Sequence, residues 1–141
     1  MIVYVSGGCK NGKSGIAEKI AYSLKEDNKP FYYIATMCPC DNEDIKRIEK
    51  HKKDRQHLFF ETIEIQRNIK NLENICDLRG TFLIDSVTAL LANEMFINES
   101  IINNAYEKVT EDLLYIISKM KNVVLVSDYI FSDTILYDNI T

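Results

Sequence analysis

No apolar run in the chain approaches the ~18 residues that a membrane-spanning helix needs. Met1 leads straight into the strand-like MIVYVS with no charged segment before it. A membrane span and a secretory leader are therefore not expected, and a cytoplasmic location is. Net positive charge is missing too: 17 Lys and Arg stand against 21 Asp and Glu, giving −4. That balance argues against a general nucleic-acid binder. No repeat, low-complexity stretch or linker divides the 141 residues, so a single domain with one real core is expected. The cysteines lack metal spacing, because Cys38 and Cys40 are separated by one residue and no second matched pair follows. Without an export signal, Cys9, Cys38, Cys40 and Cys76 read as reduced thiols. Glycine is scarce as well, with only 5, yet three of them crowd positions 7, 8 and 12.

What is present is an alternation of short apolar runs with helical stripes. MIVYVS (1–6), FYYIAT (31–36), TFLIDS (81–86) and NVVLVSD (122–128) are β-branched or aromatic runs that predict buried strands, and FFETIEI (59–65) predicts a shorter extended segment. Ile16, Ala17, Ile20, Ala21 and Leu24 recur at helical spacing over 13–25. A second helix is expected from Asp41 or Asn42 to Arg55, and a third through Ile65, Ile69 and Leu72 to Cys76. Helices are also expected over 86–97 and 100–121, the latter striped by Ile102, Tyr106, Val109, Leu113, Ile116, Ile117 and Met120. Strands separated by helices of this length imply βαβ units and a mostly parallel sheet in one α/β domain.

The crowded glycines belong to GGCKNGKS (7–14), which fits the pattern G-x-x-x-x-G-K-[ST] of a phosphate-binding P-loop. Glycine lets backbone N–H groups turn inward around a phosphate, and the helix that follows adds its positive N-terminal end. In that reading Gly7, Gly8, Cys9, Lys10, Asn11 and Gly12 form the cradle. Lys13 reaches the terminal phosphates and the Ser14 hydroxyl serves Mg²⁺. The loop falls between an expected strand and an expected helix, as the mechanism requires, which sets it apart from a glycine-rich turn of no function. A P-loop domain also needs an acid at the end of a nearby apolar strand. Asp85, closing FLID, is the candidate for metal or nucleotide; its alternative is to cap the helix that follows. Asp128, at the end of VVLVSD, is a weaker candidate of the same kind.

Within the basic stretch KRIEKHKKDR (46–55), Arg47, His51 and Arg55 lie four apart on one helix face, with Ile45 and Ile48 on another that reads as buried. Cations flanking an imidazole disfavour its charged form, keep a neutral nitrogen available and grip phosphate. A plain solvated basic face is the alternative. His57, outside that face, reads as structural.

Taken in order, MIVYVSGGCKNGKS, YYIAT (32–36), RIEKHKKDR (47–55), FLIDSVTALLANEMF (82–96) and VVLVSD (123–128) resemble the CobU-type enzymes. These are bifunctional adenosylcobinamide kinases and adenosylcobinamide-phosphate guanylyltransferases of corrinoid assembly. Arg-Ile-x-x-His-x-x-x-Arg following Tyr-Ile-Ala-Thr is the discriminating element. The resemblance implies a RecA-like P-loop NTPase fold, a three-layer α/β/α sandwich, assembled as a homo-oligomer such as a trimer. It implies that NTP (GTP or ATP) with Mg²⁺ phosphorylates adenosylcobinamide, and that GTP then donates GMP through a GMP–histidine intermediate on His51. Residues 7–14 would hold the triphosphate beside Arg47, Arg55 and Asp85, with Ser14 and Asp85 near the metal. The expected unit is 1–141, a single nucleotide-binding domain without the C-terminal extension usual in the family. It also departs from the family at Asp128-Tyr129-Ile130-Phe131, where Asn-Glu-Val-Gly is usual. Two other readings stay open: a different P-loop kinase or NTPase using only Lys13, Ser14 and Asp85, and a nucleotide-binding paralogue without catalysis.

Overall fold

The computed structural model describes residues 1–7, 13–37, 45–46, 49–50, 53, 60–97, 100–101 and 104–128. Five strands form one sheet: β1 (Ile2–Gly7), β2 (Phe31–Ala35), β3 (Glu61–Glu64), β4 (Thr81–Asp85) and β7 (Asn122–Asp128). Their order is β1-β7-β4-β2-β3, and every pairing is parallel. Between them run α1 (Lys13–Leu24), the short α2 (Leu72–Ile75), α3 (Val87–Met95) and α4 (Ala105–Lys119). Residues 45–46, 49–50 and 53 are also helical, in keeping with the helix expected across 42–55.

Strand alternation sends successive side chains to opposite faces, and each face has its own core. On one side Ala17 and Ala21 of α1 press against Phe31, Tyr33, Leu83, Val124 and Val126. Two alanines one helical turn apart let the helix axis approach the sheet closely. On the other side Tyr32, Ile34, Phe82, Ile84, Val123 and Leu125 meet Leu72, Leu90, Val109, Ile116 and Ile117 from α2, α3 and α4. Phe82 is fully buried and stacks on Tyr32 with ring centroids 4.8 Å apart. The result is a three-layer α/β/α sandwich. A strand, β7, lies between the strand that leads into α1 and β4, the strand that ends in Asp85. That insertion is the RecA-like arrangement of a P-loop domain.

Several expectations need correction. The helix expected from Ile65 to Cys76 is only a 3-10 turn over Ile69–Asn71 followed by α2, because Asn68 sits in the left-handed region (φ 57°) and interrupts it. The two helices expected over 86–97 and 100–121 are shorter. Phe96–Ile97 (β5) and Ser100–Ile101 (β6) pair as a small antiparallel ladder between them. Ladder hydrogen bonds there replace the helical ones that the apolar spacing suggested. Two side chains assigned to buried stripes face solvent, Ile16 in α1 and Tyr106 in α4, the latter 66% exposed. Each lies at the margin of its stripe, beyond the reach of the sheet. Ile45 is likewise exposed rather than buried, at 45%. Ile48, Ile102 and His57 lie outside the described residues. Among the described residues, no helix is long and apolar enough to cross a membrane.

Candidate functional site

Because all five strands are parallel, their C-terminal ends share one edge of the sheet, the edge where open α/β sheets bind ligands. Gly7 ends β1 there and pairs with Asp128, the last residue of β7. Lys13 and Ser14 begin α1, so the segment between Gly7 and Lys13 spans from a strand end to a helix N-terminus, as a P-loop must. The side chains of Lys13 and Ser14 lie outside the described residues. So do Gly8, Cys9, Lys10, Asn11 and Gly12, and Arg47, His51 and Arg55 of the basic stretch.

Asp85 is described, and its position is informative. It ends β4 at the same edge and pairs with Val126 on one side and Ala35 on the other. Leu83, two residues earlier, belongs to the core beneath α1. Alternation therefore puts Asp85 on the face that carries α1. Tyr33 is on that face too, one diagonal step away in the register, and its hydroxyl donates to Asp85 Oδ2 at 2.5 Å. Tyr33 is itself only 4% exposed, with Phe60 edge-on to its ring at 5.6 Å. Its hydroxyl therefore approaches the carboxylate from a fixed direction.

The capping alternative for Asp85 is resolved by its neighbour. Ser86 Oγ accepts the Ala89 N–H at 3.1 Å, so Ser86 is the residue that caps α3. Asp85 is thus free of the helix and points across the sheet edge to Tyr33. The β4–α3 junction is held from β2. Thr36, fully buried, accepts the Ser86 N–H through Oγ1 and donates the same hydroxyl to the Ser86 carbonyl, both at 2.7 Å. The Thr36 N–H donates to the Asp85 carbonyl, and Asn93 Nδ2 ties the Thr36 and Gln66 carbonyls together. Thr88 and Ser127 share a buried hydroxyl contact at 3.1 Å, linking α3 to the end of β7. Behind this shell, buried Glu94 of α3 accepts from Lys108 of α4 and from the Asn68 N–H. The pair fixes the left-handed turn that ends the β3 segment.

Sequence reasoning found Asp85 but not Tyr33, Thr36, Ser86 or Ser127, whose roles come from strand order and register. The one clue was position, since each stands at or near the end of an apolar strand. Cys76 is a free thiol, and burial, followed by the charge of Glu61, pushes its pKa up to about 11. Little of it is thiolate at neutral pH, as suits a structural cysteine. Cys38 and Cys40 lie outside the described residues.

A family model described as cobinamide kinase / cobinamide phosphate guanyltransferase (CobU) matches residues 3–140. The chain belongs to this family. It is 31% identical over 97 residues to the bifunctional adenosylcobalamin biosynthesis protein CobU of Escherichia coli (strain K12), a match covering 68% of this chain and 51% of that protein. The CobU of Salmonella typhimurium is 33% identical over 98 residues, with the same shares. The chain thus spans about half the length of the curated relatives it matches. Among solved structures, the flagellar accessory protein FlaH of Methanocaldococcus jannaschii overlaps 90% of this chain and 60% of its own at 14% identity, with a TM-score of 0.47. A KaiC-like protein of Pyrococcus horikoshii overlaps the same shares at 18% identity and the same TM-score. The fold rests on the strand order, independently of these partial overlaps.

For Mg²⁺, the chemistry of the donor at hand fits. Asp85 is a half-buried carboxylate with one oxygen bonded to Tyr33, at the sheet edge and on the α1 face. Mg²⁺ is usually bound by one or two carboxylates and completes its octahedron with phosphate oxygens and water. No group of three or more His, Cys, Asp or Glu side chains converges among the described residues. Asp85 would offer an oxygen to such an ion, which would supply charge neutralisation on nucleotide phosphates.

Proposed function

We propose that the chain is a corrinoid-directed kinase and guanylyltransferase that works at the C-terminal edge of its sheet. The observation that carries this reading is the family match across residues 3–140. The position of Asp85 at the C-terminal sheet edge, on the face that carries α1, supports it. In the first reaction the backbone of Gly7–Gly12 cradles the triphosphate and Lys13 neutralises its terminal phosphates. The cobinamide hydroxyl oxygen attacks the γ-phosphorus, the bond to the β-phosphate oxygen breaks, and the hydroxyl proton passes to solvent. In the second, a neutral His51 nitrogen attacks the α-phosphorus of GTP and pyrophosphate leaves with the bonding pair. The phosphate oxygen of cobinamide phosphate then attacks the same phosphorus and returns the imidazole as a neutral leaving group. Arg47 and Arg55 keep His51 unprotonated and hold the phosphates. The protein works as a homo-oligomer, which light scattering tests.

The test supplies GTP, Mg²⁺ and cobinamide and follows phosphorylated and guanylylated products by mass spectrometry. Lys13→Ala should lower both by about 100-fold or more, since it removes charge stabilisation at the transferred group. His51→Ala should leave phosphorylation intact and abolish guanylylation. A wild-type protein that phosphorylates but never guanylylates would leave a P-loop kinase acting through Lys13, Ser14 and Asp85 alone.

A further inference from the structure

The geometry points to Tyr33 as a positioning residue for the metal-holding carboxylate: its hydroxyl fixes Asp85 so that the second oxygen, Oδ1, is presented to the nucleotide-bound cation. This inference rests on the nucleotide reading of the site. Three observations carry it. First, the Tyr33 hydroxyl donates to Asp85 Oδ2, and among the described residues Oδ1 accepts no hydrogen bond. An aspartate with one oxygen committed and the other open suits single-oxygen contact with a hydrated cation far better than a freely rotating group.

Second, Tyr33 cannot easily follow a wandering carboxylate. Its ring is buried beneath α1 among Phe31, Leu83 and Val126 and is braced by Phe60, which itself contacts Phe31 at 3.9 Å. Burying an aromatic side chain while turning its hydroxyl to the sheet edge is the arrangement expected when the hydroxyl has a partner to satisfy. Third, the register makes the contact a property of the sheet. Tyr33 pairs with Leu83 and Ala35 pairs with Asp85, so the phenol reaches the acid along one diagonal of a central strand pair. The Thr36–Ser86 hydroxyl bonds hold the same two strands just beyond it. The acid's backbone and its side chain are thus both referenced to β2.

The test is a Mg²⁺ titration of GTP binding, read with a fluorescent GTP analogue and without turnover. Tyr33→Phe keeps the ring and removes the hydroxyl. It should raise the Mg²⁺ concentration for half-maximal tight binding by about three- to tenfold, in line with losing one hydrogen bond to a charged group that water partly replaces. Affinity for nucleotide in EDTA should stay within twofold. In the Asp85→Asn background the same change should have no further effect on the Mg²⁺ midpoint, because the two residues act as a unit. An unchanged Mg²⁺ midpoint in Tyr33→Phe overturns the proposal, as does an equal loss of Mg²⁺-dependent and Mg²⁺-free binding, which would mark a purely structural tyrosine. If Tyr33→Phe folds poorly, the cycle is run with Tyr33→Trp, whose bulk fills the site without the phenol; additivity with Asp85→Asn overturns the proposal there too. Wild-type binding that ignores Mg²⁺ would instead strike at the nucleotide reading itself.

Discussion

Thr36→Val tests how the β4–α3 junction is built, because it keeps the shape of a buried side chain and deletes one hydroxyl. In the native protein that hydroxyl accepts the Ser86 N–H and donates to the Ser86 carbonyl, both at 2.7 Å. The two losses are unequal. The Ser86 carbonyl keeps a helical partner, since the Leu90 N–H donates to it at 3.1 Å. The Ser86 N–H has no such reserve, and Ser86 is buried. An orphaned buried donor costs about 1–3 kcal/mol. Taking roughly 2 kcal/mol, with about 3–5 °C per kcal/mol for a chain of this size, the melting temperature should fall by about 6–10 °C. Thr36→Ser retains the hydroxyl and loses only a methyl, so it should cost about 1 kcal/mol. Urea unfolding followed by circular dichroism reads both. If Thr36→Val melts within 2 °C of wild type, or above Thr36→Ser, the junction does not depend on this hydroxyl and the reasoning fails.

Two further effects follow from packing and ionisation. A β-carbon at Gly80 would sit 2.5 Å from the Pro30 carbonyl oxygen, which is itself held by the Thr81 N–H at 3.0 Å. Gly80→Ala should therefore destabilise by about 2 kcal/mol or more. Gly15→Ala in α1 meets nothing within 4 Å and should stabilise by about 0.5–1 kcal/mol in the same melts. Cys76, with its thiol pushed up to about 11 from 9.0 by burial, should react far more slowly with iodoacetamide at pH 8 than a free thiol, read by peptide mass mapping. Because the folded pKa is raised, its stabilising contribution is complete below pH 9 and is lost as pH rises through about 11. The urea midpoint of wild type should fall over that window more steeply than that of Cys76→Ala.

The strands were legible because their apolar, β-branched runs are continuous, as strands buried on both faces must be. VVLVSD and FLID are the clearest cases. The junction from β1 to α1 was legible because it is local, a strand end and a helix start within a few residues of each other. What escaped notice depends on distant residues meeting. Nothing within NEMFINESII announces that Phe96–Ile97 and Ser100–Ile101 pair rather than continue their helices. Asn68 looks like any helix-tolerant residue until its N–H is seen to serve Glu94 on a helix 26 positions away. Asp85 was recognised as an acid at a strand end, yet that it does not cap α3 shows only once Ser86 is seen in that place and Tyr33 is seen to hold the carboxylate. Tyr33 and Thr36 were visible only as strand residues, because their partners come from β4 through the parallel register.

The central claim, that this chain transfers GMP through His51 of a P-loop domain, is tested most directly by labelling the protein itself. Purified protein is incubated with Mg²⁺ and GTP labelled at either the α- or the γ-phosphate, then denatured and split between acid and alkali. The account predicts an acid-labile, alkali-stable adduct carrying the α-label but not the γ-label, absent in Lys13→Ala and in His51→Ala. A wild-type protein that takes up no α-label, or an adduct that survives His51→Ala, would contradict it.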